Sequence, residues 1–150
     1  MVTIREATSA DAPTLVKLMQ LYYGDSPVPH QFSETAMAAH LVRLSQSNSV
    51  GGLLVAVQNQ EIVGFALNYF GFDTRALQRT LTLNDLFVQQ QARRQGIARQ
   101  LIQATFTWAQ AHDCVSVDWM TRTSNLSAQQ LYNQLAERET GWYHYQHRLS

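Results

Sequence analysis

A chain of 150 residues, 45% hydrophobic and only 15% charged, has the size and composition of one compact domain with a full core, and argues against disorder. Eleven basic residues balance eleven acidic ones, so no overall field draws in nucleic acid or an anionic membrane. The single cysteine, Cys114, excludes an intramolecular disulfide framework and fits a reducing cytoplasm. It adjoins a strand-like run, where a buried structural thiol is the default over a reactive one. His30, His40, His112, His144 and His147 show no compact ligand spacing with the acids or with Cys114, so no metal is expected. Charges at Arg5, Glu6 and Asp11 and the lack of any long apolar run predict a soluble chain that is neither exported nor membrane-bound.

In chain order, Val2 to Glu6 alternates as a short strand, and Ser9 offers an N-cap for a helix with Leu15, Leu18, Met19 and Tyr22 on one face. Gly24-Asp25-Ser26-Pro27-Val28-Pro29 should stop that helix in an extended turn. Met37, Leu41 and Leu44 mark a second helix ending near Gln46 to Ser49. Leu53 to Val57 and Ile62 to Phe70 read as a hairpin around Gln58-Asn59-Gln60-Glu61, with Gly71 to Arg79 as the next loop. Leu81 to Val88 is a strand, Gln89 to Ala92 a loop, and Ile97, Leu101, Ala104, Trp108 and Ala109 line one side of a helix starting after Gly96. Asp113 then turns the chain into a strand over Val115 to Met120. The β, α, β order from Leu81 to Met120 implies a parallel crossover. Thr123-Ser124-Asn125 supplies N-cap candidates for a last helix carrying Ala128, Leu131, Tyr132 and Leu135. Gly141 should end the helical region, and Trp142 to Leu149 should close the sheet as a strand. No repeat, low-complexity tract or linker interrupts the chain, so residues 1–150 are expected to form one mixed α/β domain.

The densest chemistry lies between loop and helix, in Arg93-Arg94-Gln95-Gly96-Ile97-Ala98-Arg99, with three guanidinium groups and no acid. A helix starting here points unpaired N–H groups outward and carries partial positive charge at that end, a ready anion site. Gly96 lets the backbone approach a bulky phosphate and Ala98 adds little bulk. The nucleoside-triphosphate loop would need Gly-Lys-Ser/Thr and the dinucleotide loop three spaced glycines; neither is present.

This segment resembles the Arg/Gln-x-x-Gly-x-Gly/Ala signature of the GCN5-related N-acetyltransferases, matched by Arg93, Gly96 and Ala98 directly after a strand ending Asp85-Leu86-Phe87-Val88. The resemblance covers nearly the whole chain, since the order of expected elements is the family's. It implies a central mixed sheet flanked by about four helices, with the fourth and fifth strands splayed around acetyl-CoA. It also implies that the backbone from Arg94 and Gln95 through Gly96, Ile97, Ala98 and Arg99 holds the pyrophosphate, while the strand Leu86-Phe87-Val88 pairs with the pantetheine arm. The stretch from Asp118 through Asn125, Ala128 and Leu131-Tyr132 looks like the family's second motif, particularly in the branch acting on histone tails and polyamines. Three features depart from the family: no proline precedes the Arg motif, Ala98 stands for the commoner second glycine, and Ala136 to Trp142 replaces the usual Gly-Phe. None removes a chemical group; the last bears on how an acceptor is recognised.

The resemblance implies an N-acetyltransferase using acetyl-CoA as cosubstrate, acting by direct attack of a primary amine in a ternary complex. Tyr132 is then the candidate acid for the departing thiolate, since a phenol pKa of about 10 lies near that of an alkyl thiol; its spacing equally suits a helix-face core residue. Asn125 either bonds the pantetheine or orders water, as the resemblance implies, or simply caps its helix. Asp85, a carboxylate in an apolar strand that is costly unless partnered, either takes the ammonium proton through water, fixes the cation, or forms a structural salt bridge. Asp118 is a second, weaker candidate. Asp25 and Glu34 could draw a cationic acceptor, a polyamine or a lysine side chain, over the loop from Gly24 to Glu34. Relatives often pair through terminal strands, and Trp142, Tyr143 and Tyr145 give this terminus an interface-like composition, so a homodimer is expected. Two other classes use the same residues. A nucleic-acid binder would rely on Arg93, Arg94 and Arg99 but lacks a readout motif, and a non-catalytic CoA-binding regulatory module would share the phosphate cradle but have no use for the Tyr132 phenol.

Overall fold

The computed structural model describes residues 1–26 and 30–149. The expected turn at Pro27, Val28 and Pro29 lies outside the described residues. The chain forms two compact units, Met1–Trp119 and Met120–Ser150.

In the first unit, strands β1 (Val2–Glu6), β2 (Gly51–Gln58), β3 (Glu61–Asp73), β4 (Gln78–Val88) and β5 (Cys114–Asp118) lie side by side in sequence order. The first four are antiparallel, and β5 joins β4 in parallel. A helix must carry the chain between two parallel neighbours, and α3 (Ile97–Ala111) does so. The mixed α/β class is therefore as the sequence implies, with four α-helices among the described residues. None of them is long and apolar enough to cross a membrane.

The sheet has helices on both faces. On one, α1 (Ala12–Gly24) and α2 (Glu34–Gln46) bury Leu15, Met19, Leu41 and Leu44 against Leu53, Val55, Phe65, Leu67 and Phe87. On the other, α3 buries Ile97, Leu101, Ile102, Thr105 and Trp108. Trp108 lies over Gly52, where an added Cβ would meet the indole at 2.4 Å. Its N–H donates to Glu6 Oε1 at 2.8 Å, which ties α3 to the β1 edge.

Several boundaries differ from expectation for local reasons. Ser9 does not cap α1; it begins a 3-10 turn, Ser9–Asp11, and the Thr8 N–H donates to Asp11 Oδ2 at 2.8 Å. Asp11 also holds Arg5 at 2.8 Å, so one carboxylate organises the whole entry. The long loop expected over Gly71 to Arg79 contracts to four residues between β3 and β4, because the hairpin keeps pairing out to Asp73 and Gln78. Gln89 to Ala92 contains a 3-10 turn, Gln90–Ala92.

In the second unit, α4 (Leu126–Leu135) ends before Gly141, which therefore does not terminate it. Trp142 to Leu149 forms no strand: it is described without regular structure, and Trp142, Tyr143 and Tyr145 are exposed. Aromatic β-propensity expresses packing against neighbouring strands, so composition alone does not make a strand.

One buried group stands out. Asn68 on β3 has no exposed surface, and neither side-chain atom has a hydrogen-bond partner among the described residues. Strand alternation places it with Ala66 and Phe70 on the α3 face. An unmade buried hydrogen bond costs about 1–3 kcal/mol. Asn68→Leu, with the same number of heavy atoms, is expected to raise the melting temperature by about 2–4 °C per kcal/mol recovered. A thermal melt showing a lower value would mean that the amide is partnered in solution.

Candidate active site

The site grows from the second half of β4. Its pairing with β5 runs only from Arg79 to Thr82, where the Thr82 hydroxyl donates to Asp118 Oδ1 at 3.0 Å. Residues 83–88 have no β5 partner, so the edge of β4 is open there. The Gln89 N–H donates to Val63 O on β3 at 2.8 Å. By alternation, Phe87 also turns its backbone toward β3, and Leu86 and Val88 present theirs to the opening. The Phe87 ring joins the core, 5.8 Å from Tyr22 and 5.9 Å from Phe65. Of Leu86, Phe87 and Val88, Leu86 and the Val88 N–H thus face the opening, where an extended amide-bearing ligand could match them, while the Val88 carbonyl accepts from Arg93 Nε.

Beyond β4 the loop is built inward by its side chains. Arg93 donates through Nε to Val88 O at 2.8 Å, reaches Asp25 Oδ2 at 3.4 Å, and lies 5.6 Å over the Phe87 ring. Gln95 Oε1 accepts from Gln58 Nε2 at 2.8 Å. Arg94 and Gly96 both take left-handed backbone conformations, with φ of 65° and 78°. A left-handed residue followed directly by helical Ile97 and Ala98 aims successive N–H groups to one side, the geometry of an anion nest. The first-turn N–H groups of α3, on Ile97, Ala98 and Arg99, have no intrahelical acceptors. A Cβ built on Gly96 meets nothing within 4 Å, so the space beside this residue is open. This cradle, with Arg94 and Arg99 beside it and an open strand edge leading to it, suits the pyrophosphate and amide arm of acetyl-CoA.

Asp85 is the carboxylate of the site. Residue Asn84 is an extra residue in β4: Leu67 pairs with Asp85 but the next residue, Asn68, pairs with Leu83. The bulge reverses the alternation, so Asp85 and Phe87 face α1 and α2 rather than α3. Asp85 is 7% exposed and accepts from Asn84 Nδ2 at 2.9 Å and from the Tyr22 hydroxyl. Burial pushes its carboxyl above the usual range, and the bonds from Asn84 and Tyr22 oppose this. The Asp85 charge acts on both Tyr23 and Tyr69, whose phenols are raised first by burial and then by that charge. The Tyr69 hydroxyl in turn lies 2.8 Å from His40 Nε2 on α2. A buried carboxylate ringed by three half-buried tyrosines is suited to a cation that brings aliphatic bulk with its charge.

The other expected residues are placed as follows. Asp25 ends α1 and pairs with Arg93, beside the phosphate loop. Glu34 opens α2 and accepts from Gln20 Nε2 at 2.7 Å. In the second unit Asn125 caps α4, its Oδ1 accepting from the Ala128 N–H at 3.3 Å. Tyr132 lies on α4 and burial raises its phenol above 10.0. Among the described residues no group of three His, Cys, Asp or Glu side chains could hold a metal. Sequence reasoning missed Tyr22 and Tyr23 as a functional pair, and also Tyr69 and His40. The Tyr-Tyr doublet ahead of the first glycine was a visible signal; Tyr69 could be placed on Asp85's face only by knowing of the bulge.

The comparisons agree with this geometry. The chain is 30% identical over 143 residues to the uncharacterized N-acetyltransferase YhfO of Bacillus subtilis (strain 168), covering 95% of this chain and 94% of that protein. It is 29% identical over 86 residues, 57% of this chain and 53% of the other, to the D-amino-acid N-acetyltransferase HPA3 of Saccharomyces cerevisiae. The crystal structure of a possible acetyltransferase from Clostridium difficile 630 superposes with a TM-score of 0.85 at 16% identity, over 100% of this chain and 99% of that one. The acetyltransferase (GNAT) family profile matches residues 15–136. With an open strand edge running into a helix N-terminus and a family match over most of its length, the chain belongs to the acetyltransferase (GNAT) family and is an acetyl-CoA-dependent acetyltransferase.

Proposed function

We propose that this enzyme transfers acetyl to a primary amine of a cationic acceptor, a polyamine-like small molecule or a lysine side chain, by direct attack in a ternary complex. The observation that carries the reading is Asp85, a buried carboxylate ringed by Tyr22, Tyr23 and Tyr69 next to the open edge of β4. When bound, acetyl-CoA supplies the thioester carbonyl that the amine attacks and the thiolate that leaves. The backbone from Gln95 to Arg99 holds the pyrophosphate, Leu86 and Val88 hold the amide arm, and Asp85 holds the ammonium close to the reacting carbon. Tyr132 donates the proton to the thiolate, and its raised phenol keeps that proton at neutral pH. We place the activity in the cytoplasm, in keeping with the lone thiol of Cys114.

Two variants separate binding from chemistry. Gly96→Glu forces a side chain onto a left-handed residue and adds a negative charge to the cradle, and should weaken acetyl-CoA binding at least about tenfold, or about 1.4 kcal/mol. Tyr132→Phe should leave that affinity nearly intact and lower turnover by about 10²- to 10⁴-fold. Calorimetry and stopped turnover read the two effects. Unchanged affinity in the first variant removes the cradle from the site, and full turnover in the second makes Tyr132 a packing residue and favours a binding module.

The acceptor is tested with spermidine, a lysine-containing peptide and, because the yeast relative is named for D-amino acids, D-phenylalanine. Spermidine or the peptide should be preferred. Their apparent affinity should weaken with salt, since exposed charges are screened beyond about 8 Å at physiological ionic strength, and should weaken further in Asp25→Asn and Glu34→Gln. A preference for the amino acid, or indifference to both salt and substitution, would show that the acceptor is of another class.

We extend the proposal to a homodimer formed through the C-terminal segment, where Trp142, Tyr143 and Tyr145 are 78%, 90% and 88% exposed. Aromatic side chains exposed together are characteristic of interfaces. Light scattering should give twice the 17.0 kDa chain mass; a monomer at micromolar concentration rules this out.

A further inference from the structure

We propose that the acceptor's proton leaves through Tyr69 to His40, which makes this pair, and not Asp85, the proton acceptor of the site. The inference rests on the reading of the Asp85 face as the amine site.

The geometry separates the two roles. Asp85 lies at the bottom of the ring of tyrosines, 7% exposed, and already accepts from Asn84 and Tyr22. A proton delivered to it would be held inside the protein and would cancel the charge that attracts the cation. The Tyr69 hydroxyl is half-buried on the same face, one strand away, and lies 2.8 Å from Nε2 of half-buried His40. Two strand registers fix this: Tyr69 pairs with Thr82 and Leu67 with Asp85, so the tyrosine and the carboxylate project side by side on the α1 and α2 side of the sheet.

The groups facing His40 favour the step. Arg43 on its own helix is the nearby cation and β3 contributes Tyr69; Asp85 on β4 acts on Tyr69, and Tyr69 in turn on Tyr23 of α1. The inner face of β2 offers Leu53 and Val55 and no titratable group. Burial and then Arg43 lower His40, so its ring is neutral at pH 7 and, with the proton on Nδ1, Nε2 can accept. Tyr69 is raised, so it stays a phenol.

The step balances in protons. The ammonium gives one N–H proton to a lone pair of the Tyr69 oxygen while the Tyr69 O–H proton passes to Nε2 of His40. The amine is left neutral with its lone pair, Tyr69 remains a phenol, and His40 becomes an imidazolium that returns its proton to solvent. Asp85 stabilises positive charge before and after. Tyr69 is the catalytic residue here and His40, acting through it, a positioning residue.

The test uses whichever of spermidine, a lysine-containing peptide, D-phenylalanine or kanamycin the wild type acetylates fastest, followed by CoA thiol release from about pH 5 to pH 9. Because His40 must be neutral, wild-type kcat/KM should fall as pH drops through the folded His40 pKa, which lies below 6.5. His40→Gln and Tyr69→Phe should each lose at least about tenfold at the plateau and lose that acidic limb, with acetyl-CoA affinity unchanged. Free imidazole should partly restore His40→Ala at pH 8 and not at pH 5. If the variants keep the wild-type limb, or imidazole restores nothing, the pair is structural and the proposal fails while the acetyltransferase reading stands. If His40→Gln does not fold, Tyr69→Phe decides by the same limb. If the wild type acetylates no amine in the panel, the amine-site reading fails and this inference with it.

Discussion

The site depends on what happens to β4 between Thr82 and Asp85. At Thr82 the parallel pairing with β5 stops, and two residues later Asn84 is inserted against a single step of β3. Without the insertion, Leu81, Leu83, Asp85 and Phe87 would share one face. With it, Leu81 and Leu83 stay on the α3 side while Asp85 and Phe87 turn to α1 and α2. A carboxylate that alternation would have driven under α3, where Asn68 already sits without a side-chain partner among the described residues, is placed among hydroxyl-bearing side chains instead. The end of the pairing exposes peptide groups on one edge of the strand, and the bulge aims a charge from its face. One short segment thereby joins an open strand edge to a buried carboxylate.

That is also why the sequence was legible only in part. Apolar runs and helical spacing located every strand of the sheet and all four helices, because burial sets those patterns. The strand-to-helix junction with Gly96 between flanking arginines was legible too. The bulge was not: one extra residue in an apolar run leaves no mark in composition, and with it went the knowledge that Tyr69 and Asp85 share a face. The C-terminal aromatics misled for the opposite reason. Trp142 to Leu149 has strand composition, yet composition alone makes no strand, and the segment is without regular structure. The Ser9 cap failed because Asp11, two residues on, offers an ionised acceptor that also binds Arg5, and a charge-assisted bond outcompetes a hydroxyl.

The arginines were read correctly as a cluster but divide the work differently from what their number suggests. Arg93 is bound by Val88 O, Asp25 and the Phe87 ring. Its charge closes the loop onto the end of β4, and Gln95 closes it from the other side through Gln58. Left-handed Gly96, followed by the first turn of α3, adds peptide groups to this frame. Side chains build the cradle and peptide groups line it. A cradle of this kind is preorganised, because backbone dipoles held by folded structure need no reorientation when an anion arrives. It also places Asp25, through its ion pair with Arg93, where the end of α1 meets the phosphate loop.

On the proposed reading, this division of labour would let a chain with no net charge serve an anionic donor and a cationic acceptor at once. The attraction for phosphate comes from helix and nest dipoles, which fall off within a turn; the attraction for the amine comes from a carboxylate in a low-dielectric surround, where a single charge acts more strongly than in water. Neither requires a field over the whole surface, and an excess of either sign would repel one of the two ligands. A buried carboxylate is effective in this way only while it stays ionised. Tyr22 and Asn84 oppose the burial that would neutralise Asp85, and a proton acceptor elsewhere, at the His40 side of the ring, would spare it from titrating at each turnover. The Tyr22 hydroxyl and the Asn84 amide thus do for Asp85 part of what solvent does for a surface carboxylate.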